Sequence, residues 1–342
     1  MKKKFKKILT VAGALLASVT LAACDAGEFP TRDISVIVPW GAGGGTDVTV
    51  RTLVYEMGNE LGIQMPISNM PGASGSLGKI DVYDGRRDGY RILGSSMTSV
   101  TTAQVLGLSD ISYTEWYAWN AAFSPSVIAV SSESHIMTIE DLIAEMQANP
   151  GALALSSSGP GSSGFVAATV FVEAAGVTFN HIPYSGGSAA IIAVVGGEVD
   201  FTAQLSSEMI DFIRAGEMRA LATLSVEDLV VVDNNGNEIV IPSLSRTIPA
   251  VANTLPIGAS FGLFVPRDTE DSIVQILNNA YLHAVNTANF RDFVDRQGMI
   301  FLGMTLEQTD AYLERNASIV SWVLYDAGEA IHSPETFGIP RP

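Results

Sequence analysis

"VIVPWGAGGGTDVTVRTLVYEM", residues 36–57, decides the fold class. The apolar run "DISVIVPW" (residues 33–40) is β-branched, nearly continuous, and stops at Pro39-Trp40. A short run of that kind suits a strand covered on both faces, as in a parallel sheet. Gly41, Gly43, Gly44 and Gly45 follow almost without interruption. Beyond them Val50, Leu53, Val54, Met57 and Leu61 recur at helical spacing, with Asp47 at the start. The unit is strand, glycine loop, helix.

The unit repeats along the chain. "GALALSSSGPGSSGFVAATVFVEAAG" (residues 151–176) reads as a strand, a Ser/Gly loop and a helix from about residue 164. "HIPYSGGSAAIIAVVGGEVDFTAQ" (residues 181–204) reads as a strand end, a turn, a helix and another strand, and residues 208–225 continue with helix then strand. This alternation predicts an α/β fold with parallel sheets and helices on their faces. Residues 272–286 and 306–325 predict long helices. Residues 227–246 carry Asn234-Asn235-Gly236 between two β-branched runs, a hairpin signal on a surface excursion. A chain of 342 residues points to two domains.

The N-terminus reads as an export signal. Lys2, Lys3, Lys4, Lys6 and Lys7 precede an apolar segment over residues 8–21, closed by Leu21-Ala22-Ala23-Cys24. The last four residues resemble a bacterial lipobox, in which Cys24 becomes the lipidated mature N-terminus; the other reading is ordinary cleavage beside an incidental cysteine. Lipid chains anchor a protein without spanning the membrane. No later stretch reaches the roughly 20 apolar residues of a transmembrane helix. Cys24 is the sole cysteine, so its lipidation excludes disulfides, cysteine metal sites and a cysteine nucleophile. The four histidines show no metal spacing. The whole chain carries a net charge of −17. Without residues 1–23, 14 bases face 36 acids, a net charge of −22. That balance argues against nucleic acid and against adhesion to anionic membranes.

The first glycine loop is a candidate anion site. No lysine follows its glycines, so it is not a P-loop, and Thr46 stands where a dinucleotide fingerprint needs its third glycine. Asp47 would repel a phosphate dianion. A carboxylate suits the loop better: glycines let the backbone approach, and a helix start presents free N–H groups and a positive dipole end. Thr46 and Asp47 can cap the helix. A single glycine would suffice for a plain turn. The loop "SSSGPGSSG" (residues 156–164) repeats the logic at another helix start. Screening over roughly 8 Å lets local amides hold an anion on an acidic protein. Trp40 can wall such a cleft or fill the core. No Gly-x-Ser-x-Gly elbow frames Ser96 or Ser163 as a nucleophile, which leaves a secreted serine hydrolase as the weakest alternative.

These residues resemble the extracytoplasmic solute-binding component of the tripartite tricarboxylate transporters, the Bug or TctC family. The likeness covers residues 34–338. It runs through "VPWGAGGGTD" (38–47), "NMPGASG" (69–75), Asp88-Gly89-Tyr90, Ser158-Gly159-Pro160-Gly161-Ser162, "PYSGGSAA" (183–190), "GGEVD" (196–200), "AGEMRALAT" and "FGLFVPRDT". The sequence departs from the family's pattern at Gly41 and Ala42, usually prolines, at Met70, usually arginine, and in the insert at 227–246.

The resemblance implies two α/β domains of periplasmic-binding-protein type (type II-like), joined by two crossover strands with the ligand between them. Residues 32–128 and 258–342 would form the first domain and residues 129–257 the second, with residues 24–31 linking to the lipid anchor. It implies a ligand carboxylate held by Gly43, Gly44, Gly45, Thr46 and Asp47 beside Trp40, and by Ser158, Gly161, Ser162 and Ser163. Tyr184, Asp200, Ser96 and Thr98 complete the expected set. The expectation is a monomeric lipoprotein on the outer face of the cytoplasmic membrane, with no cofactor and no metal. It would deliver a di- or tricarboxylate, acidic amino acid or aromatic acid to membrane transport subunits. A signalling co-receptor is the alternative.

Overall fold

A computed structural model describes residues 29–159, 162–184 and 186–342; the signal segment, Cys24 and Gly161 lie outside the described residues. The chain begins with β1 (Ser35–Val38), α1 (Gly45–Leu61), β2 (Ile67–Asn69), α2 (Ser76–Tyr83), β3 (Arg91–Ser96), α3 (Met97–Thr101) and β4 (Trp116–Pro125). It continues through β5 (Val127–Ser131), α4 (Ile139–Ala148), β6 (Ala154–Ser157), α5 (Ser163–Ala175), β7 (Asn180–Pro183), α6 (Gly187–Val195), β8 (Phe201–Thr202), α7 (Ser206–Arg214) and β9 (Met218–Thr223). A hairpin, β10 (Leu229–Val232) and β11 (Glu238–Ile241), precedes β12 (Gly258–Pro266), α8 (Asp271–Val285), α9 (Ala288–Arg296), β13 (Ile300–Phe301) and α10 (Leu306–Asp326).

Apart from the two-stranded hairpin β10-β11, the strands form two sheets, ordered β13-β4-β12-β3-β1-β2 and β7-β6-β8-β5-β9. β1 is buried over Val36, Ile37 and Val38, and it pairs in parallel with β2 and β3, as its continuous apolar run requires. On α1, Val50, Leu53, Val54 and Met57 are buried in the core of the first sheet. Removing each such side chain from water contributes about 1.5–3 kcal/mol. Gly62, at φ 68°, ends the helix in the left-handed conformation.

The sheets are mixed, where the sequence predicts parallel ones. β12 runs antiparallel to β3 and β4, and β5 runs antiparallel to β8 and β9. Each of these strands has just arrived from the other lobe. It enters its sheet at the end where the βα units finish their strands, and so must run against them. The two crossings lie side by side. Ser126 N–H donates to the Ile257 carbonyl at 3.0 Å, and Leu224 N–H donates to the Ser126 carbonyl at 2.8 Å.

Two further segments join parts that the sequence treats separately. α10 packs Leu313 into the first lobe and Ile319, Val320 and Leu324 into the core of the second. Residues 29–31, expected within the linker, already pack on the first lobe. Phe29 stacks edge-on against Tyr90 at 4.9 Å, and Thr31 N–H donates to the Tyr90 hydroxyl at 2.8 Å. The hairpin at 229–241 forms as predicted, with Leu229, Val231 and Ile241 buried and Val230, Val232 and Val240 exposed.

Candidate functional site

A parallel strand followed by a helix leaves the helix start at the strand's C-terminal end, where open α/β sheets place their ligands. In this chain those ends face the junction of the two lobes. The loops there surround a cavity of about 460 Å³.

The first wall comes from the loop after β1. Trp40, Gly41, Ala42, Gly44, Gly45 and Thr46 line the cavity. Gly43 and Asp47 are not on its wall; they build the loop. The Asp47 Oδ2 accepts from Gly43 N–H and Arg51 Nε at 2.8 Å each, and its Oδ1 accepts from Asn69 Nδ2 at 2.8 Å. Asn69 Nδ2 also donates to the Trp40 carbonyl at 3.0 Å. Burial alone would raise the Asp47 carboxyl, but the bonds from Arg51, Gly43 and Asn69 outweigh it and hold it below its ordinary value. Gly43 sits at φ 83°, a conformation that L side chains rarely adopt. The cap of α1 is Gly44, which has no side chain to bond the free N–H groups, so neither Thr46 nor Asp47 caps the helix as the sequence suggests. At Gly45 an added Cβ would lie 3.2 Å from Ser207 Oγ and 3.3 Å from Phe261, so this helix start is pressed between Phe261 of its own lobe and Ser207 of the other.

The second wall comes from the loop after β6. Ser158, Ser162 and Ser163 line the cavity, and the Ser162 hydroxyl caps α5 by accepting from Phe165 N–H at 3.3 Å. Ser96 and Thr98 line it as well, from the start of α3. The Ser96 hydroxyl accepts from Ser99 N–H at 3.2 Å.

Tyr184 and Asp200 are not on the wall. The Tyr184 hydroxyl donates to Glu198 at 3.5 Å, and it is later residues of the same loop, Gly186 to Ala189, that reach the cavity. Asp200 precedes β8 and accepts from Ala154 N–H at 2.7 Å. It lies at the opposite end of its strand from the cleft.

Several wall residues escape the sequence reading. Gln204 and Leu205 follow β8 and Glu208 lies in the first turn of α7; all three line the cavity, as do Leu106, Leu108, Ala259 and Phe261. Gln204 had a legible signal, since it stands past a strand end as the other wall residues do. Glu208 had none.

The wall is rich in donors and holds no lysine or arginine. Among its buried groups, Trp40 Nε1, Thr98 Oγ1 and Gln204 Nε2 have no partner among the described residues. The starts of α1, α5 and α6 add unpaired N–H groups and positive dipole ends. Among the described residues no cluster of His, Cys, Asp or Glu could hold a metal, and no helix is long and apolar enough to cross a membrane. One Ser–His pair does occur, with Ser157 Oγ and His181 Nε2 at 2.7 Å, but Ser157 is buried and off the cavity wall.

Comparison with known proteins agrees with this architecture. A family model described as "Tripartite tricarboxylate transporter family receptor" matches residues 49–319. Protein BugT of Bordetella pertussis is 27% identical over 319 residues, covering 90% of this chain and 93% of that protein. Among solved structures, a TctC solute-binding protein from Polaromonas is 28% identical with a TM-score of 0.69, covering 87% of this chain and 99% of that one. MatC from Rhodopseudomonas palustris, solved with bound malate, has the same fold at a TM-score of 0.73 and 23% identity, covering 86% of this chain and 100% of that one. The Polaromonas relative is a solute-binding protein, and the chain belongs to the TctC family of extracytoplasmic tripartite tricarboxylate transporter receptors.

Proposed function

We propose that this protein is a lipid-anchored receptor that captures a small organic carboxylate between its two lobes and delivers it to the membrane subunits of a tripartite transporter. The observation that carries the reading is the cavity wall. Helix starts from both lobes and a set of serine and threonine hydroxyls surround one space whose wall, among the described residues, has no side-chain cation. A carboxylate satisfies such a wall, because two acceptor oxygens can take several N–H and O–H groups at once. The malate bound by MatC is consistent with a carboxylate in this fold. The lobes, expected at residues 32–128 with 258–342 and at residues 129–257 and both packed against by α10, would close by bending at the crossings at Ser126 and Ile257. Closure buries the ligand against donors already in place, which limits the ordering cost of binding.

Calorimetric titration of the unfolded and refolded protein, freed of any carried-over ligand, with mono-, di- and tricarboxylates tests the reading. Binding of one acid class is expected. A ligand at 100 times its Kd adds about 2.7 kcal/mol of stability, which a melting curve reads independently. A cooperatively melting protein that takes none of these acids refutes the carboxylate reading. Anchoring at Cys24 has its own test: Cys24→Ser should release the exported protein from the membrane fraction, and a variant still held there would refute the lipid anchor.

A further inference from the structure

Among the described residues, Glu208 is the one titratable side chain on the cavity wall. It projects from the first turn of α7, whose start is tied to the first lobe. The Ser124 hydroxyl accepts from Ser207 N–H at 3.1 Å, and the Ser206 hydroxyl donates to the Gly298 carbonyl at 2.8 Å. Its carboxyl is seated against Gly187, where an added Cβ would lie 2.2 Å from Glu208 Oε2. That glycine leaves room for the carboxyl at the cavity. Among the described residues no hydrogen-bond or ion-pair partner meets it. On its own helix the nearest base, Arg214, is engaged with Asp211 at 3.9 Å and with the Arg296 carbonyl at 2.6 Å. The faces opposite, from α1, α3, α5, α6 and β12, bring no ionisable group to the cavity.

A carboxyl has an evident cost on this wall. An unpaired, poorly hydrated carboxylate is unfavourable, and it repels an anionic ligand. The wall is not short of donors, so a second ligand carboxylate needs nothing from Glu208. What the wall lacks is a strong acceptor, and the ligand group that needs one is an ammonium. We propose that the cavity takes an amino carboxylate, whose carboxylate sits at the helix starts and whose ammonium pairs with Glu208. This inference rests on the carboxylate reading of the site. Burial also pushes the Glu208 carboxyl up to about 7, which leaves it ready to give up its proton when a cation arrives.

Calorimetry on matched pairs that differ only in the amino group tests it: L-aspartate against succinate, L-glutamate against glutarate, and L-leucine against 4-methylpentanoate. At pH 8.0 the amino acid of at least one pair should bind tenfold or more tighter than its partner. Its affinity should fall about tenfold by pH 6.0, as Glu208 takes up a proton and loses its attraction for the ammonium. Glu208→Gln should cost the amino acid at least tenfold and strengthen the deamino acid severalfold. Deamino acids that bind as well as their partners at pH 8.0, or an amino acid that tightens as pH falls from 8.0 to 6.0, overturn the inference and leave the carboxylate site standing. The second pattern would make Glu208 a proton-bearing donor to the ligand. If none of the six acids binds while another carboxylate does, the inference falls alone; if no carboxylate of any class binds, the carboxylate reading falls and the inference with it.

Discussion

The loops on the two sides of the cleft are built differently. The loop after β1 is braced from beneath. Asp47, 1% exposed, draws together Gly43, Arg51 and Asn69 and so fixes the backbone whose amides face the cavity. Among the described residues, the loops after β6 and β7 are held more lightly: the Ser157 hydroxyl accepts from Gly159 N–H at 3.1 Å and pairs with His181 Nε2 at 2.7 Å. Their helix starts rest on the Ser162 cap and on Gly186, which has no capping side chain. They present hydroxyls, and beside them stands Glu208. On the proposed reading, the first side would be the anion cradle and the second would carry the groups that tell one ligand from another. Rigidity in the first would give affinity through donors that need no reordering. Polar variety in the second would give discrimination.

The largest expected effect strikes the brace. Asp47→Ala should lower stability by about 3 kcal/mol, because a buried, multiply bonded carboxylate is lost and its donors are left unpaired. Urea unfolding measures the loss, and carboxylate binding should weaken with it. A variant of unchanged stability would show that the loop is not held this way. The native charge–bond network holds the Asp47 carboxyl below its unfolded value. Its stability is therefore present above the ordinary carboxylate range, near pH 4, and is lost as pH falls below that range through the folded value.

A second test concerns a weak point in the braced lobe. Lys79 on α2 is 2% exposed, its Nζ has no partner among the described residues, and burial pushes its ammonium down to about 8. The unfolded chain binds that proton more readily, so stability falls as pH drops from 10.5 to about 8 and then levels off. Lys79→Met should raise stability at pH 7 by roughly 2–3 kcal/mol, an upper range set by the size of the shift. The gain should shrink as pH climbs toward 10.5, the ordinary value for lysine. Thermal melts of both proteins across that range check the sign.

Ser162→Ala removes the one side-chain cap at the start of α5 and should cost about 1 kcal/mol. It should also weaken carboxylate binding severalfold, a smaller change than at Asp47. If Ser162→Ala costs more in both measures than Asp47→Ala, the comparison between the two sides is reversed. The smallest effect belongs outside the cleft. Val230→Thr, on the exposed face of the hairpin, should change stability by no more than about 0.5 kcal/mol and leave binding as it was.

Much of the site was legible because its signals are local. A glycine cluster or a Ser/Gly loop at the end of an apolar strand marks a helix start wherever it occurs. Trp40, Gly44, Gly45, Thr46, Ser96, Thr98, Ser158, Ser162 and Ser163 all reach the cavity wall. Asp47 was legible as important but not in its role. Whether it faces a ligand or the loop beneath depends on Asn69, 22 residues away and brought near by β2. Tyr184 and Asp200 stand beside the right loop and the right strand, yet a turn's direction and a strand's end decide which residue faces the cleft.

By itself the sequence determined the alternation of strands and helices, the glycine-rich helix starts, the hairpin and the family, because each depends on neighbours within a few turns of chain. Only the tertiary structure decided that both sheets are mixed, that α10 spans both lobes, and that Gln204, Phe261 and Glu208 close the cavity. Those facts follow from where the chain crosses between lobes at Ser126 and Ile257. Residues far apart in sequence meet there, and no periodicity along the chain records their meeting.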